Sequence, residues 1–191
     1  MLKILLLSLI VAVCYAQTPP RPMIQATFES KVEFFLHEHD TYQGMGHIAF
    51  NEALNRGVEF FTYDRDGKNE TSVDLERYDM GLEYFIRGGS TLPHCESRKL
   101  QTAKMPSYWD WVAIAKYAGQ RKVREIMLDV WAFQSGSTVR NELLVERENP
   151  NVPRYVNNEI STIRRELGFL TFNTTAPPAT MFEVPFECKG L

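Results

Sequence analysis

The sequence lacks an apolar run long enough to cross a membrane. Its longest such stretch, Ile4 to Val13, falls short of the roughly 20 residues that a transmembrane helix needs, and no later stretch approaches that length without charges. Lys3 before the run and Ala16 after it instead match a secretory signal that is cleaved after the alanine. The sequence therefore predicts a signal peptide over 1–16, a single domain over 17–191, and secretion to the extracellular space without a transmembrane anchor.

Clustered basic residues are also missing. The chain carries 21 Lys and Arg against 24 Asp and Glu, for a net charge of −3, and the basic side chains are scattered. Proteins that bind nucleic acid or anionic lipid surfaces usually present a basic patch. The composition therefore argues against nucleic acid or an anionic membrane as the main partner.

Cysteine is scarce, with three residues in the whole chain. Cys14 would leave with the signal peptide, so Cys95 and Cys188 would remain. In an oxidising compartment two cysteines most simply form one disulfide. A bridge that closes so long a loop would stabilise the fold by roughly 4–5 kcal/mol in the chain-entropy model.

Motifs of the common catalytic centres are absent. The sequence has no Gly-x-Ser-x-Gly turn for a nucleophilic serine and no cysteine beside a histidine partner. Carboxylates are abundant, but no spacing marks a catalytic pair. The sequence therefore predicts a protein that is not an enzyme.

Two short segments suggest metal ligands without completing a site. His37 and His39 would share a strand face, but a tight site needs a third and a fourth ligand. The segment 64–70 resembles half of a calcium loop, yet it lacks the distal bidentate glutamate and is flanked by strands. We therefore expect no metal or other cofactor, apart from weak calcium binding.

Alternating apolar and polar residues dominate the first half of the chain. From Ala26 to Leu36 every second residue is apolar or small, which is the period of a half-buried strand. The Asp66-Gly67 step is a strong hairpin signal. Shorter runs of the same kind follow at 45–51, 58–63, 73–78 and 82–87. The first half therefore predicts an antiparallel meander.

The middle of the chain changes period and then returns to strands. Ser107 resembles a helix cap, and the apolar residues that follow it predict a short helix over 107–118 that stops at Gly119. Strands resume over 123–133, 139–147 and 167–172, while 157–166 is ambiguous between helix and strand. This order predicts a mainly β, α+β fold: curved antiparallel sheets or a half-barrel around an apolar pocket, with one or two covering helices.

The aromatic residues have two interpretations, a filled core or a ligand cavity. Adjacent aromatics such as Phe60 and Phe61 point to opposite faces of one strand, which a single core does not easily absorb. Ligand cavities are mostly apolar with a few polar groups. The candidate ligand-binding residues are Tyr84, Trp109, Trp111, Met127, Trp131 and Phe133.

Two sequons, at Asn69 and Asn173, predict N-glycosylation of a secreted chain. The first lies beside the predicted hairpin turn, and the second precedes a proline-rich break. Both positions are therefore expected at the surface.

The order of several aromatic, glycine and cysteine motifs resembles the ependymin-related secreted glycoproteins, within the wider group of lipoprotein-carrier (LolA-like) domains. The motifs that carry the resemblance are Leu75 to Tyr84, Pro106 to Trp111, Ala115 to Gly119, Asp129 to Trp131, and Phe182 to Cys188. The resemblance implies a strongly curved sheet, or pair of sheets, around a deep hydrophobic pocket covered by helices. It also implies lipid or fatty-acid binding, N-glycosylation, homodimers in some members, and a link to calcium or extracellular matrix.

Two sets of residues carry over from the family to this chain. Cys95 and Cys188 match its middle-to-C-terminal disulfide, and Trp109, Trp111 and Trp131 fall where pocket-associated aromatics would lie. Vertebrate ependymins carry further cysteines that this sequence lacks, so a second bridge or a disulfide-linked dimer does not carry over.

The function predicted from these observations is the binding of a hydrophobic small molecule or lipid by a secreted glycoprotein. The alternative is an adhesive or matrix-associated glycoprotein with weak calcium binding, in which the aromatics form an interface. A lipocalin-type carrier is the alternative fold. A helix in mid-chain, rather than after the last strand, argues against that fold.

Overall fold

The computed structural model describes residues 18–38, 40–88 and 94–189. The predicted signal peptide over 1–16 lies outside these residues. No helix in the described part of the chain is long and apolar enough to cross a membrane.

The described residues form one antiparallel sheet of eleven strands. Its strands are β1 (Phe28–His37), β2 (Thr41–Asn51), β3 (Arg56–Arg65), β4 (Lys68–Arg77), β5 (Leu82–Gly88), β6 (His94–Lys99), β7 (Lys116–Val123), β8 (Ile126–Ser135), β9 (Val139–Glu146), β10 (Asn149–Ile160) and β11 (Ile163–Phe169). Their order in the sheet is β6-β5-β4-β3-β2-β1-β11-β10-β9-β8-β7. The predicted mainly β, antiparallel fold is therefore confirmed.

Two meanders meet at the centre of this sheet. The first runs outward from β1 to the edge strand β6, and the second runs inward from the other edge, β7, to β11. The seam is the antiparallel pairing of β1 with β11, in which Phe34 lies opposite Leu167. The connection from β6 to β7 must therefore pass from one edge of the sheet to the other.

The sheet curls strongly around one face. The Arg165 side chain on β11 reaches Glu59 on β3, three strands away, with 2.6 Å between Nη1 and Oε2. Neighbouring strands are about 4.8 Å apart, so this contact forms only because the sheet curls around it. We call the face that carries both side chains the concave face, and the opposite one the convex face.

Alternation along β1 places the apolar core on the concave face. Phe28, Val32 and Phe34 are buried there, while the intervening residues point to the convex face. Gly44 and Gly46 on β2 also face inward, and a Cβ at either glycine would overlap a phenylalanine ring that lies against the sheet. These glycines therefore let aromatic rings lie flat on the curved surface.

The predicted helix over 107–118 is wrong. A short 3-10 helix, Asp110–Ile114, lies within the connection that crosses the concave face. Val112 within the helix and its flanking residues Trp109 and Ala115 are buried, and their spacing of three matches the three residues per turn of a 3-10 helix. Gly119, predicted to stop the helix, instead has φ of 97° within a β-bulge in β7. The covering element is therefore this connection, not an α-helix.

Two local predictions are decided by turns. Asp66 and Gly67 have φ of 54° and 74° and join β3 to β4, so the predicted hairpin is confirmed. The ambiguous segment 157–166 is the β10–β11 hairpin, in which Ile160 pairs with Ile163 and Ser161 takes φ of 58°.

The C-terminal segment packs on the convex face of the first meander. Phe182 is fully buried there with Leu75, Tyr84 and Ile86. A disulfide joins Cys188 to Cys95 on the edge strand β6, with 5.4 Å between the Cα atoms. The predicted disulfide is therefore confirmed, and it fastens the end of the chain to the outer strands of the first meander.

Candidate ligand groove

The concave face carries an open groove made of two adjoining cavities. The first, of about 340 Å³, lies over β1 to β5, and the second, of about 490 Å³, lies over β9 to β11. Both share Leu36 and Arg165 as lining residues. The groove therefore continues across the seam between the two meanders.

Aromatic and aliphatic side chains supply much of the lining. In the first cavity the aromatic and aliphatic lining residues are Phe34, Leu36, Tyr42, Phe61, Tyr63, Val73, Phe85 and Ile86. In the second they are Leu36, Tyr108, Trp111, Val139, Ile160 and Ile163. Ile160 and Ile163 are 58% and 43% exposed, so apolar surface is left uncovered on this face.

The ion pair of Arg165 with Glu59 spans the groove where the two cavities meet. Burial acts to lower the pKa of Arg165, but the neighbouring Glu59 carboxylate raises it above its usual value. Tyr108 lies beside the pair, and burial raises the pKa of its hydroxyl. Arg165 therefore stays protonated, and its pair with Glu59 forms a polar partition within an apolar groove.

Three further carboxylates lie beside Glu59 on the concave face. Asp74 on β4 lies opposite Glu59, and Glu76 lies opposite Glu83 on β5. Arg98 donates two hydrogen bonds to Glu83, one of them 2.9 Å long. Arg165 therefore pairs with Glu59 and Arg98 pairs with Glu83, while no ion pair within the described chain involves Asp74 or Glu76.

Asp74 and Glu76, which have no guanidinium partner, have raised pKa values. Burial, followed by repulsion from Glu83 and Glu59, raises the pKa of Asp74 far above its usual range. Burial and the same two neighbours raise the pKa of Glu76 to about 7. Both groups thus hold protons near neutral pH, unlike an ordinary carboxyl group.

Several buried polar atoms of groove residues have no protein partner within the described chain. They are Asp74 Oδ1 in the first cavity and the Tyr108 hydroxyl and Asn158 Oδ1 in the second. Such atoms are costly to bury without a hydrogen bond. The groove therefore offers hydrogen-bonding positions as well as apolar surface.

The six predicted ligand-binding residues do not form one site. Trp111 lines the second cavity. Trp109 and Trp131 are each only 4% exposed and belong to the core beneath the groove. Phe133 packs against that core, and Met127 is half exposed at the start of β8.

Tyr84 is the clearest misplacement among the six. Its side chain is buried on the convex face with Leu75 and Cys95. Its neighbour Phe85 points the other way and lines the groove. The sequence pattern placed Tyr84 on one strand face correctly but could not say which face is concave.

Most groove residues were missed by sequence reasoning. Phe34 and Leu36 follow the alternation of β1, so the pattern marked them as inward-facing, but not as lining an open space. Glu59, Asp74 and Arg165 carried no signal, because they come together only through strand pairing and curling.

The two predicted metal-like segments give no metal site in the described residues. No group of three or more His, Cys, Asp or Glu side chains is arranged there to hold a metal ion. His39 lies outside the described chain. The Asp64 carboxylate accepts a hydrogen bond from the Gly67 amide, 3.0 Å away, so it serves the hairpin turn.

Both sequons lie away from the groove. Asn69 is exposed and pairs with Asp64, at a convex-face position of β4. Asn173 is exposed and bridges to Glu29, another convex-face residue. Sugars at these positions would leave the concave face open.

A third concavity, of about 330 Å³, lies on the convex face of the second meander. Arg121 and Arg140 line it, and both donate to the buried Glu142 carboxylate. Arg164 at its rim pairs with Glu166 at 2.9 Å. These guanidinium groups are therefore engaged in ion pairs within the sheet.

Comparisons with known proteins assign neither a family nor a ligand to this chain. No family model and no curated protein matches the sequence. The resemblance to ependymin-related proteins thus rests on the quoted motifs alone.

Solved structures show distant similarity. One is the Pseudomonas aeruginosa MucA/MucB complex, at 14% identity over 85% of this chain and 57% of that chain, with a TM-score of 0.42. A β-barrel-like protein of a domain of unknown function, DUF1849, from Brucella abortus matches at 9% identity over 81% and 99%, with a TM-score of 0.38. A putative outer membrane lipoprotein-sorting protein domain from Vibrio parahaemolyticus matches at 9% identity over 85% and 91%, with a TM-score of 0.37. The present chain spans a little over half of the matched chain in the MucA/MucB structure.

Proposed function

We propose that this protein binds a hydrophobic small molecule, of the lipid or fatty-acid class, in the concave groove and catalyses no reaction on it. The observation that carries the proposal is the pair of adjoining cavities, about 340 and 490 Å³, with uncovered apolar lining. Cavities that hold small molecules commonly measure roughly 300–1,000 Å³ and are mostly apolar.

The distribution of polar groups supports an elongated ligand. Apolar side chains flank the Arg165–Glu59 partition on both sides, so a chain would lie along the groove and pass beside the ion pair. Burial of apolar surface contributes about 25 cal/mol per Å². Affinity should therefore increase with the chain length of the ligand.

Secretion, glycosylation and membership of the ependymin-related group are part of the same proposal. The signal-like N-terminus, the two exposed sequons and the disulfide between Cys95 and Cys188 support an extracellular carrier. The positions of Asn69 and Asn173 on the convex side are compatible with a glycosylated protein whose groove remains accessible.

The first test is native mass spectrometry, with organic extraction, of the protein purified from a eukaryotic secretion host. A co-purifying hydrophobic molecule at near-stoichiometric level is expected. Displacement of a fluorescent long-chain probe then measures affinity across a series of chain lengths.

A pair of isoleucine variants locates the binding site. Ile163 lines the second cavity, whereas Ile126 is similarly exposed, at 43% against 47%, and points to the convex face. Each is the first residue of a strand after a turn. Ile163→Arg should weaken probe binding about tenfold or more, because the hydrocarbon chain of the ligand would remove water from the new guanidinium group. Ile126→Arg should leave probe binding unchanged.

Two results would overturn the proposal. One is that the purified protein carries no lipid and binds no fluorescent probe of any chain length. The other is an equal effect of both isoleucine variants. Either would favour the adhesive alternative, for which exposed convex-face side chains such as Met45 and Phe60 provide apolar contact surface.

A further inference from the structure

Asp74 lies where the first cavity meets the charged part of the concave face. It lines the cavity together with Phe61 and Phe85, and its Oδ1 is buried without a partner in the described chain. Asp74 therefore lies at the border of the space that a ligand chain would fill.

Charged groups from five strands surround this carboxyl, and the acidic ones predominate. Glu59 on β3, Glu76 on β4, and Glu83 on β5 are its acidic neighbours. Glu96 lies on the edge strand β6, opposite Phe85. The basic groups in the region are Arg165 on β11, Arg98 on β6, and Arg65 and Arg87 at the rim of the cavity.

None of these basic groups, Arg87 included, forms an ion pair with Asp74 in the described chain. Arg165 and Arg98 are engaged with Glu59 and Glu83, and Arg65 lies 3.7 Å from Glu70 while its guanidinium stacks over Tyr42. Water in the open groove is then the main remaining source of solvation for the ionised form of Asp74. A ligand chain that fills the cavity would displace that water.

We propose that ligand binding in the groove is coupled to proton uptake by Asp74, with Glu76 as the second acceptor, so that affinity rises as the pH falls from about 9 to 7. The inference rests on the proposed function, because it concerns regulation of the same groove. A carrier of this kind loads in acidic or neutral surroundings and releases its ligand in alkaline ones.

Linkage gives the direction of the effect. Removal of water by the ligand raises the pKa of Asp74 beyond its already elevated value in the free protein. Between the two values the bound protein holds more protons than the free protein. Affinity therefore increases on acidification through that window and is lost as the pH rises through it.

The test measures binding of a probe that has no titratable group, a pyrene-labelled long-chain alcohol. We expect affinity at pH 6 to be roughly three- to tenfold higher than at pH 8.5, since one linked proton changes affinity by at most about tenfold per pH unit. Calorimetry at pH 8.5 in two buffers of different ionisation enthalpy should show uptake of up to about one proton per ligand.

A variant and its matched control assign the proton. Asp74→Asn mimics the protonated side chain, so it should bind the probe tightly at both pH values and take up fewer protons. Asp66→Asn makes the same chemical change at the exposed tip of the β3–β4 hairpin and should keep the wild-type pH dependence. The calorimetric count on the unmodified protein stands even if a variant folds poorly.

The outcomes separate the inference from the proposed function. Tight binding with equal affinity at both pH values and no proton uptake would overturn the proton coupling and leave the carrier function intact. If the affinity for the probe still depends on pH in both Asp74→Asn and Glu76→Gln, the assignment of the linked proton to these two residues is likewise overturned. Failure of the probe to bind at every pH would overturn the proposed function itself.

Discussion

Buried carboxylates in the two meanders differ in whether hydrogen-bond donors and basic side chains compensate their charge. In the second meander, Glu142 is 5% exposed and accepts hydrogen bonds from Arg121, Arg140 and Asn157. Burial acts to raise its pKa, but these donors lower it to about 2. Asp129 is likewise buried, and donors led by Arg147 lower its pKa.

In the first meander the same burial has the opposite result. Asp74 and Glu76 are surrounded by other carboxylates, and their pKa values are raised. Burial is thus common to both regions, and the number of donors decides the charge state. The compensated carboxylates hold strands together, whereas the uncompensated ones lie at or beside the groove.

The largest effect should come from removing a compensated carboxylate. Glu142→Ala leaves Arg121, Arg140 and Asn157 without their common acceptor and should lower the free energy of unfolding by about 3 kcal/mol. Urea denaturation at pH 7 measures this change. A loss below about 1 kcal/mol would show that the network contributes little to stability.

Removing a basic partner from the first meander should have a smaller effect that depends on pH. Arg165→Met leaves Glu59 buried without its guanidinium, which should cost about 2 kcal/mol at pH 8. The loss should shrink at pH 5, because Asp74 and Glu76 are then protonated and no longer repel the unpaired Glu59 carboxylate. Arg164→Met, the neighbouring change on the convex face, is the control and should show no such dependence.

The smallest effect should be a gain. The folded-state pKa values of Asp74 and Glu76 are raised, so both destabilise the fold above these values and cease to do so as the pH falls. The free energy of unfolding should therefore rise between about pH 8 and pH 5 and fall again at lower pH, where Glu142 becomes protonated. Asp74→Asn should add about 1–2 kcal/mol more at pH 8 than at pH 5, and the gain should vanish only below about pH 4, where the unfolded chain also protonates this aspartate.

Thermal or urea unfolding across this pH range checks the prediction. A wild-type stability that falls steadily from pH 8 to pH 5 would contradict the assigned charge states. Equal stabilisation by Asp74→Asn at both pH values would point to packing instead of protonation.

Local patterns in the sequence predicted local structure well. The alternation in β1 and the Asp66-Gly67 turn depend on neighbouring residues only, and both predictions are confirmed. The pairing of Cys95 with Cys188 was predicted because they are the two cysteines left once Cys14 is assigned to the signal peptide, and an oxidising compartment favours a disulfide.

Longer-range features escaped prediction for physical reasons. Helical spacing and 3-10 spacing differ by about half a residue per turn, so a segment as short as 107–118 fits both. The local sequence does not determine which face of a strand becomes concave. Tyr84 was therefore predicted to bind the ligand, although its side chain lies on the convex face. The Arg165–Glu59 partition joins residues 106 positions apart and needs the whole sheet to form.

The seam at the middle of the sheet has a consequence for biosynthesis. β1 is the first strand to be made, and β11, which pairs with it, is the last. Until then, a nascent chain carries β1 with one unpaired edge of backbone donors and acceptors, a known template for misassociation. Cys188 emerges later still, so oxidation to Cys95 can lock the fold only after translation has passed the seam. Protection of that edge until β11 has been made would therefore guard the nascent chain against misassociation.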